Sequence, residues 1–299
     1  MPGSQAVPPM ADSSKLRRPS ALIRGSVALH LGAAVTALAR PHWWPWALSA
    51  VLADHLLLAA VGLWPRSRLL GPNWIRLPDP VQGRGAQPPP SAIALTIDDG
   101  PDPDITPRTL ALLAEHGARA TFFCIGERVA RYPELARRIV QCGHTIGNHG
   151  HRHLLRFSLL GPHAVAREIG LAQEAIGAAT GVVPQFFRAP AGLRNIFLEP
   201  VLARANLQLV SWTRRGFDTV SGDAQRVLGR LTRNMRAGDI LLLHDGHAAR
   251  TPAGTAVILE VLPRLLAALT AAQLTPVTLQ AALGPAAPGP VASASGAPS

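Results

Sequence analysis

Charge and cysteine are both scarce in this sequence. Only 16% of its 299 residues are charged and 47% are hydrophobic, which lies on the apolar side of ordinary globular composition and excludes a disordered chain. Two cysteines, Cys124 and Cys142, allow one disulfide without requiring it, so they leave the redox compartment open. Cys124 falls in an expected strand and reads as a small buried apolar residue. Acidic residues are outnumbered, 18 against 29 Lys and Arg, for a formal charge of +11. The basic residues are overwhelmingly arginine, and no stretch interleaves them with aromatics or matches a nucleic-acid-binding motif. No nucleic-acid partner is therefore expected. Arginines grouped around the apolar N-terminal third point to membrane lipid instead.

After a polar, Pro-rich tail at 1–20 come two apolar runs, GSVALHLGAAVTALA at 25–39 and WALSAVLADHLLLAAVGLW at 46–64, separated by RPHWWP. The second is long enough to cross a bilayer, with Trp43, Trp44, Trp46 and Trp64 near its ends where amphipathic rings favour the interface. The first reaches span length only with Ala21 to Ile23 and a snorkelling Arg24, and it lacks a cleavage-like sequence of a removable signal. A membrane-associated helical hairpin over 21–65 is expected, ahead of a single span, a surface-lying pair or a soluble helical layer. Asp54 interrupts the second run, where a central charge costs about 2.5–3.5 kcal/mol. Pairing with His30 of the first run, or with a lipid headgroup, would make it tolerable. Lys15, Arg17, Arg18 and Arg24 precede the hairpin, Arg40 lies between the runs, and Arg66, Arg68, Arg76 and Arg84 follow. The positive-inside rule then puts both ends in the cytoplasm.

Residues 66–90 read as a basic, Pro/Gly-rich linker and 281–299 as a disordered tail. Between them, 91–280 alternates apolar strand candidates at 92–97, 120–126, 144–149, 185–190, 208–212, 239–244 and 275–280 with helices at 106–116, 133–142, 163–179, 195–205, 223–236 and 255–272. Thr106 before Pro107, and Ser221 with Asp223, look like caps. This α/β alternation predicts a mostly parallel sheet, open or closed as a barrel, with its functional rim at the strand C-termini.

Polar residues collect at that rim. Asp98 and Asp99 end the first strand in TIDDG, His149 ends the third with His153 four residues on, Arg188 ends the fourth, Asp218 follows the fifth, and His244 ends the sixth. Singly, each has a bland reading as a turn, a satisfied histidine or a surface ion pair. Together they suggest a site. Asp99, His149 and His153 form an N, N, O donor set suited to zinc or a similar divalent ion with positions left open. His144 and His151 are weaker competitors, because His151 would point away if His149 and His153 converge.

These motifs resemble the polysaccharide deacetylase (NodB-homology, carbohydrate esterase family 4) proteins over about 91–280. TIDDG is similar to the family's Thr-Phe-Asp-Asp-Gly, ATFFCIG (120–126) and GHTIGNHGHRH (143–153) follow in order, RAPAG (188–192) matches Arg-x-Pro-x-Gly, and LLLH (241–244) matches Leu-x-Leu-His. The resemblance implies a distorted seven- or eight-stranded (β/α) barrel, with Asp98 as catalytic base, Arg188 orienting it, and His244 as general acid held by Asp218. It also implies Asp99, His149 and His153 as ligands of a divalent metal, zinc first, with cobalt or another ion as alternatives. Two motifs depart: Gly150 replaces Ser or Thr, and Arg215 and Thr219 replace the Asp and Trp of Asp-x-x-Asp-Trp, leaving Asp218. The implied substrate is an N-acylated amino-sugar polymer or a lipid-linked sugar. The arginine topology favours a bacterial inner-membrane protein with its body on the cytoplasmic side, and the alternative is a body facing the periplasm. The alternative function is a membrane-tethered carbohydrate-binding protein with a degenerate, inactive fold. No protein partner is inferable.

Overall fold

A computed structural model describes residues 18–78 and 89–283. Helix α1 (Ala21–Ala39) opens where the Ser20 hydroxyl accepts the Ile23 N–H at 3.3 Å, and a single 3-10 turn leads to α2 (Trp44–Gly62) with Pro45 in its first turn. Both helices are long and apolar enough to cross a membrane. They leave Val27, Leu31, Val35, Leu52 and Leu56 exposed, while buried Asp54 accepts the Ser26 hydroxyl at 2.7 Å and lies 3.9 Å from His30 Nδ1. The acid in the second run thus turns toward the first, as its cost in an apolar surround requires.

The body contains eight strands: β1 (Ala92–Asp98), β2 (Thr121–Cys124), β3 (Thr145–Asn148), β4 (Phe186–Phe187), β5 (Gln208–Leu209), β6 (Arg214–Arg215), β7 (Ile240–His244) and β8 (Thr275–Val277). All pair in parallel, in the order β5-β4-β3-β2-β1-β7-β6, with β8 beside the start of β1. This is a barrel that its strands leave incomplete. Outside it run α3 (Ile105–Glu115), α4 (Gly126–Arg131), α5 (Pro133–Gln141), α6 (Pro162–Thr180), α7 (Leu198–Arg204), α8 (Ala224–Thr232) and α9 (Val257–Ala271). Their starts and stops follow local chemistry: Pro133 and Pro162 open helices, Asp223 accepts the Arg226 N–H at 2.9 Å, and Gly181 ends α6 at φ 72°. Both cysteines are free, and Cys124 is buried.

The two-residue period of a strand divides two apolar layers and aims the rim residues. Ile93, Leu95 and Ile97 of β1, Phe122 of β2 and Leu241 and Leu243 of β7 pack outward on the helices. Ala94, Phe123, Phe186, Ile240 and Leu242 form the inner cluster. Asp98 continues the inner series of Ala94 and Thr96, His244 continues that of Ile240 and Leu242, and Arg188 is two residues past inward-facing Phe186. Sequence parity therefore delivers all three to the barrel's interior.

The segment expected as a linker from residue 66 is packed over its first part. Trp74 N–H donates to Leu209 O at 3.0 Å and Trp74 O accepts from Ser211 N–H at 2.8 Å, while Leu77 N–H reaches Gly238 O at 2.8 Å and Arg76 pairs with buried Asp239. These residues bridge the gap between β5 and β7, and Trp74 meets Phe186 at 5.8 Å between ring centres. Trp74→Ala is expected to cost on the order of 3 kcal/mol in chemical denaturation, where a free linker would give no change.

Several elements differ from the sequence expectation. The runs at 185–190 and 208–212 pair over two residues each: Arg188 N–H still donates to Asn148 O at 3.0 Å while its side chain crosses the interior, and Ser211 N–H binds Trp74 O. The run at 120–126 ends at Cys124, since Gly126 starts α4 and sits where a Cβ would lie 2.8 Å from Ala172 Cα of α6. Helix α4 and the polar pair β6 have no apolar pattern to announce them. Thr106 does not cap α3: its hydroxyl donates to Asp245 at 2.5 Å, and Asp102 Oδ1 accepts the Ile105 N–H instead.

Candidate metal and catalytic site

Asp99 follows β1 with φ 76°, a left-handed conformation that is costly for a residue with a Cβ. This turn places its carboxylate against the loop after β3. Oδ1 lies 3.2 Å from His149 Nε2 and 3.3 Å from His153 Nε2, is buried, and has no hydrogen-bond partner. Gly150, between the two histidines, has φ 77°, and its N–H donates to Asn148 Oδ1 at 2.8 Å. A glycine suits that backbone better than the Ser or Thr of the family pattern. His151 lies outside the cluster, as expected from the convergence of its neighbours, and His144 accepts the Ala120 N–H at 3.2 Å away from it.

The donor set fits a divalent ion on the structure's own terms. His149 Nδ1 donates to Arg188 O at 2.8 Å, which fixes the tautomer and leaves the Nε2 lone pair toward Asp99. Burial and the neighbouring His149 push His153 down to about 4, leaving a neutral imidazole. Burial alone would raise Asp99, yet the His149 and His247 imidazoles hold it well below the usual carboxylate range. Burial opposes protonation of His149, but Asp98 and Asp99 together raise its pKa. An orphaned carboxylate oxygen between two ring nitrogens is a place for a cation.

Asp98 is buried next to this set and does not share its oxygens in the same way. Its Oδ1 accepts from Arg188 Nη1 at 2.6 Å, and its Oδ2 is 3.9 Å from His149 Nε2. Arg188 is itself fixed across the interior, donating to Thr96 Oγ1 at 2.8 Å, Val210 O at 3.2 Å and Ser211 O at 2.8 Å, and lying 4.2 Å from the Phe123 ring centre. Burial lowers its pKa, with Asp98 opposing. Across the cleft Asp218 takes two bonds from His244, from the backbone N–H at 2.6 Å and from Nδ1 at 2.9 Å. Burial would lower His244, but Asp218 foremost, with Asp98 and Asp99, raises the pKa. With Nδ1 engaged, the ring's other nitrogen is left for the cleft.

The structure thus brings together Asp98, Asp99, His149, His153, Arg188, Asp218 and His244. They border or support one cleft of about 640 Å³, whose walls include Trp212, Leu242 and Ala191. Sequence reasoning missed two neighbours in the loop after β7. His247 Nδ1 bonds Asp99 Oδ2 at 2.9 Å, and Asp245, which binds Thr106, is buried and pushed up to about 7 by that burial. The only signal was their position directly after LLLH, where a turn could fold them back over β1.

The chain matches the polysaccharide deacetylase family over residues 85–210. It is 36% identical over 175 residues to a peptidoglycan-N-acetylglucosamine deacetylase of Bacillus cereus, covering 58% of this chain and 81% of the relative. It is 38% identical over 157 residues to a chitooligosaccharide deacetylase of Bradyrhizobium, covering 52% and 71%. Among solved structures, a family 4 carbohydrate esterase from Streptomyces lividans in complex with acetate aligns with TM-score 0.57 and 31% identity over 62% of this chain and 91% of that one. The parallel barrel, the motif order and these likenesses agree: the chain belongs to the polysaccharide deacetylase family.

Proposed function

We infer that the protein hydrolyses the N-acetyl group of an amino sugar in a glycan. The observation that carries this reading is buried Asp98, held by Arg188 at 2.6 Å beside the Asp99, His149 and His153 cluster, with the His244–Asp218 pair at the same cleft. The relatives named as N-acetylglucosamine and chitooligosaccharide deacetylases support the choice of bond and sugar.

An amide is a poor electrophile and an amine a poor leaving group, so the reaction needs an activated water, charge stabilisation and a proton donor. A divalent cation held by Asp99, His149 and His153, zinc first and cobalt or another ion as alternatives, would polarise the acyl carbonyl and acidify water when bound. Asp98 accepts the proton of the attacking water as the new C–O bond forms. Arg188 balances its charge and fixes its direction. His244, oriented through Nδ1 by Asp218, gives a proton to the nitrogen as the C–N bond breaks, leaving acetate and a free amine. The N–H of Ala191, at φ 54° in the cleft wall, is the candidate oxyanion donor, and Trp212 and Leu242 offer the acetyl methyl an apolar surface.

Asp218→Asn checks the acid. His244 is useful while protonated, so activity falls as pH rises through its raised pKa. Removing the Asp218 charge leaves burial opposed only by Asp98 and Asp99, and the alkaline limb of the kcat profile is expected to move to lower pH. An unmoved limb would assign it to another group. The reaction itself is tested by mass spectrometry of an N-acetylglucosamine oligomer incubated with the full chain: loss of acetyl groups supports it, and intact oligomer alongside an intact lipid-linked sugar would reject it.

Arginines flanking the two apolar helices support a membrane protein whose body faces the cytoplasm. There the accessible substrate is a lipid-linked sugar. A C-terminal fluorescent reporter that lights, paired with an inactive alkaline phosphatase fusion, is the expected result. The reverse pair would put the body in the periplasm, within reach of a polymer.

A further inference from the structure

Four arginines line the cleft, Arg128, Arg131, Arg152 and Arg215, along with Glu127. Arg128 lies 3.6 Å from Asp102 and Arg152 is 2.6 Å from Glu168. Among the described residues, Arg131 and Arg215 have no carboxylate within ion-pair distance.

Arg215 is placed deliberately by its strand. In the β6–β7 ladder it lies opposite Leu242, which faces the cleft, while Arg214 lies opposite outward Leu241 and pairs with Asp239 at 2.5 Å. The Arg215 guanidinium is 5.5 Å from the Trp212 ring centre and 5.0 Å from that of Phe217, whose ring is also 5.3 Å from the Arg230 guanidinium. Its buried Nε makes no hydrogen bond. Aromatic faces hold this cation in position without neutralising it, which prepares a rigid donor fork for an oxyanion. Arg215 also stands where the family's motif carries an acid, so the cleft has exchanged a negative group for a positive one.

The same wall is joined to the membrane hairpin. Arg194 N–H donates to Gly62 O at 3.1 Å, Arg66 Nη1 reaches Thr213 O at 3.3 Å, and a Cβ on Gly192 would meet Trp212 and Pro65 at 2.6 and 2.7 Å. The end of α2 is thus packed onto the cleft wall, and if α2 spans the bilayer the unpaired arginines lie near headgroups, where phosphates are concentrated.

We propose that Arg215, with Arg131, binds a phosphoryl group carried by the amino-sugar substrate, and so selects phosphorylated sugars over neutral glycan ends. This rests on the deacetylase reading and names its substrate class. The chemistry is shared by a soluble sugar phosphate and a lipid-linked one.

The test uses the full chain in detergent, loaded with zinc. Calorimetry compares N-acetylglucosamine 1-phosphate with N-acetylglucosamine, and turnover is compared for a polyprenyl-phosphate-linked N-acetylglucosamine in micelles, the soluble phosphate and a neutral oligomer. The phosphorylated sugar is expected to bind about 10- to 100-fold more tightly than the neutral one, as charge-assisted bidentate bonds imply. Arg215→Ala should bring that ratio close to one, and Arg215→Lys should keep part of it. A turnover preference for the lipid-linked form over the soluble phosphate identifies a headgroup as the source, and equal rates identify a free sugar phosphate. Equal binding of both sugars by the unmodified chain, or an unchanged ratio in Arg215→Ala, overturns the proposal. A binding preference without turnover of any substrate sinks the deacetylase reading and leaves the phosphate site standing.

Discussion

Asp98→Asn is expected to lower kcat by about 10²- to 10⁴-fold, the range of a positioned general base, while zinc binding persists. The two effects separate because Asp98 is not one of the three clustered donors: its Oδ1 belongs to Arg188 at 2.6 Å, and its Oδ2 stands 3.9 Å from His149 Nε2. An amide side chain fills the same space and still accepts from Arg188 through its oxygen. It leaves the buried guanidinium without its counter-charge, so a loss of stability is expected as well, and kcat is compared where the variant is folded. KM should move far less than kcat, because the lost interaction forms only as the water's proton is transferred. Metal content is read by mass spectrometry and kcat by acetate release. If Asp98→Asn emptied the metal site, Asp98 would be a ligand; if kcat fell less than tenfold, the base would be elsewhere.

Arg188→Ala carries the largest expected cost in stability, about 3–5 kcal/mol, because it leaves a buried carboxylate without its partner. Arg188 is among the largest fully buried side chains, and besides Asp98 it satisfies Thr96 of β1 and the Val210 and Ser211 carbonyls just past the neighbouring β5. Its removal therefore opens a cavity and strands several polar groups at once. Adding Asp98→Asn to Arg188→Ala should recover part of the loss, since the charge left behind is gone. Denaturant unfolding of the single and double variants checks this. A single variant within about 1 kcal/mol of the unmodified chain would place it with exposed ion pairs and contradict the buried-pair account.

The candidate site was legible because it is written at strand ends. Asp98 and His244 close β1 and β7, which are long enough to show an apolar run, His149 and Arg188 directly follow shorter runs, and His153 is brought back beside His149 by the turn through Gly150. The barrel's closure was not legible. Trp74 to Leu77 complete the interior through backbone bonds to Leu209, Ser211 and Gly238, yet they sit in a stretch whose Pro, Gly and Arg content reads as linker. Strand β6 is two arginines held by its neighbour's ladder, a context that local propensity does not carry. His247 was missed because its contact with Asp99 depends on a loop folding over β1, a 148-residue separation that no spacing rule spans.

The measurement that bears most directly on the central claim is a metal titration of the full chain with acetyl release followed in parallel. Zinc or cobalt returned to the chelated protein should bind at one equivalent and restore hydrolysis in proportion, and His149→Ala and His153→Ala should lose both together. Hydrolysis unchanged by chelation, or no binding at the Asp99, His149 and His153 cluster, would contradict it.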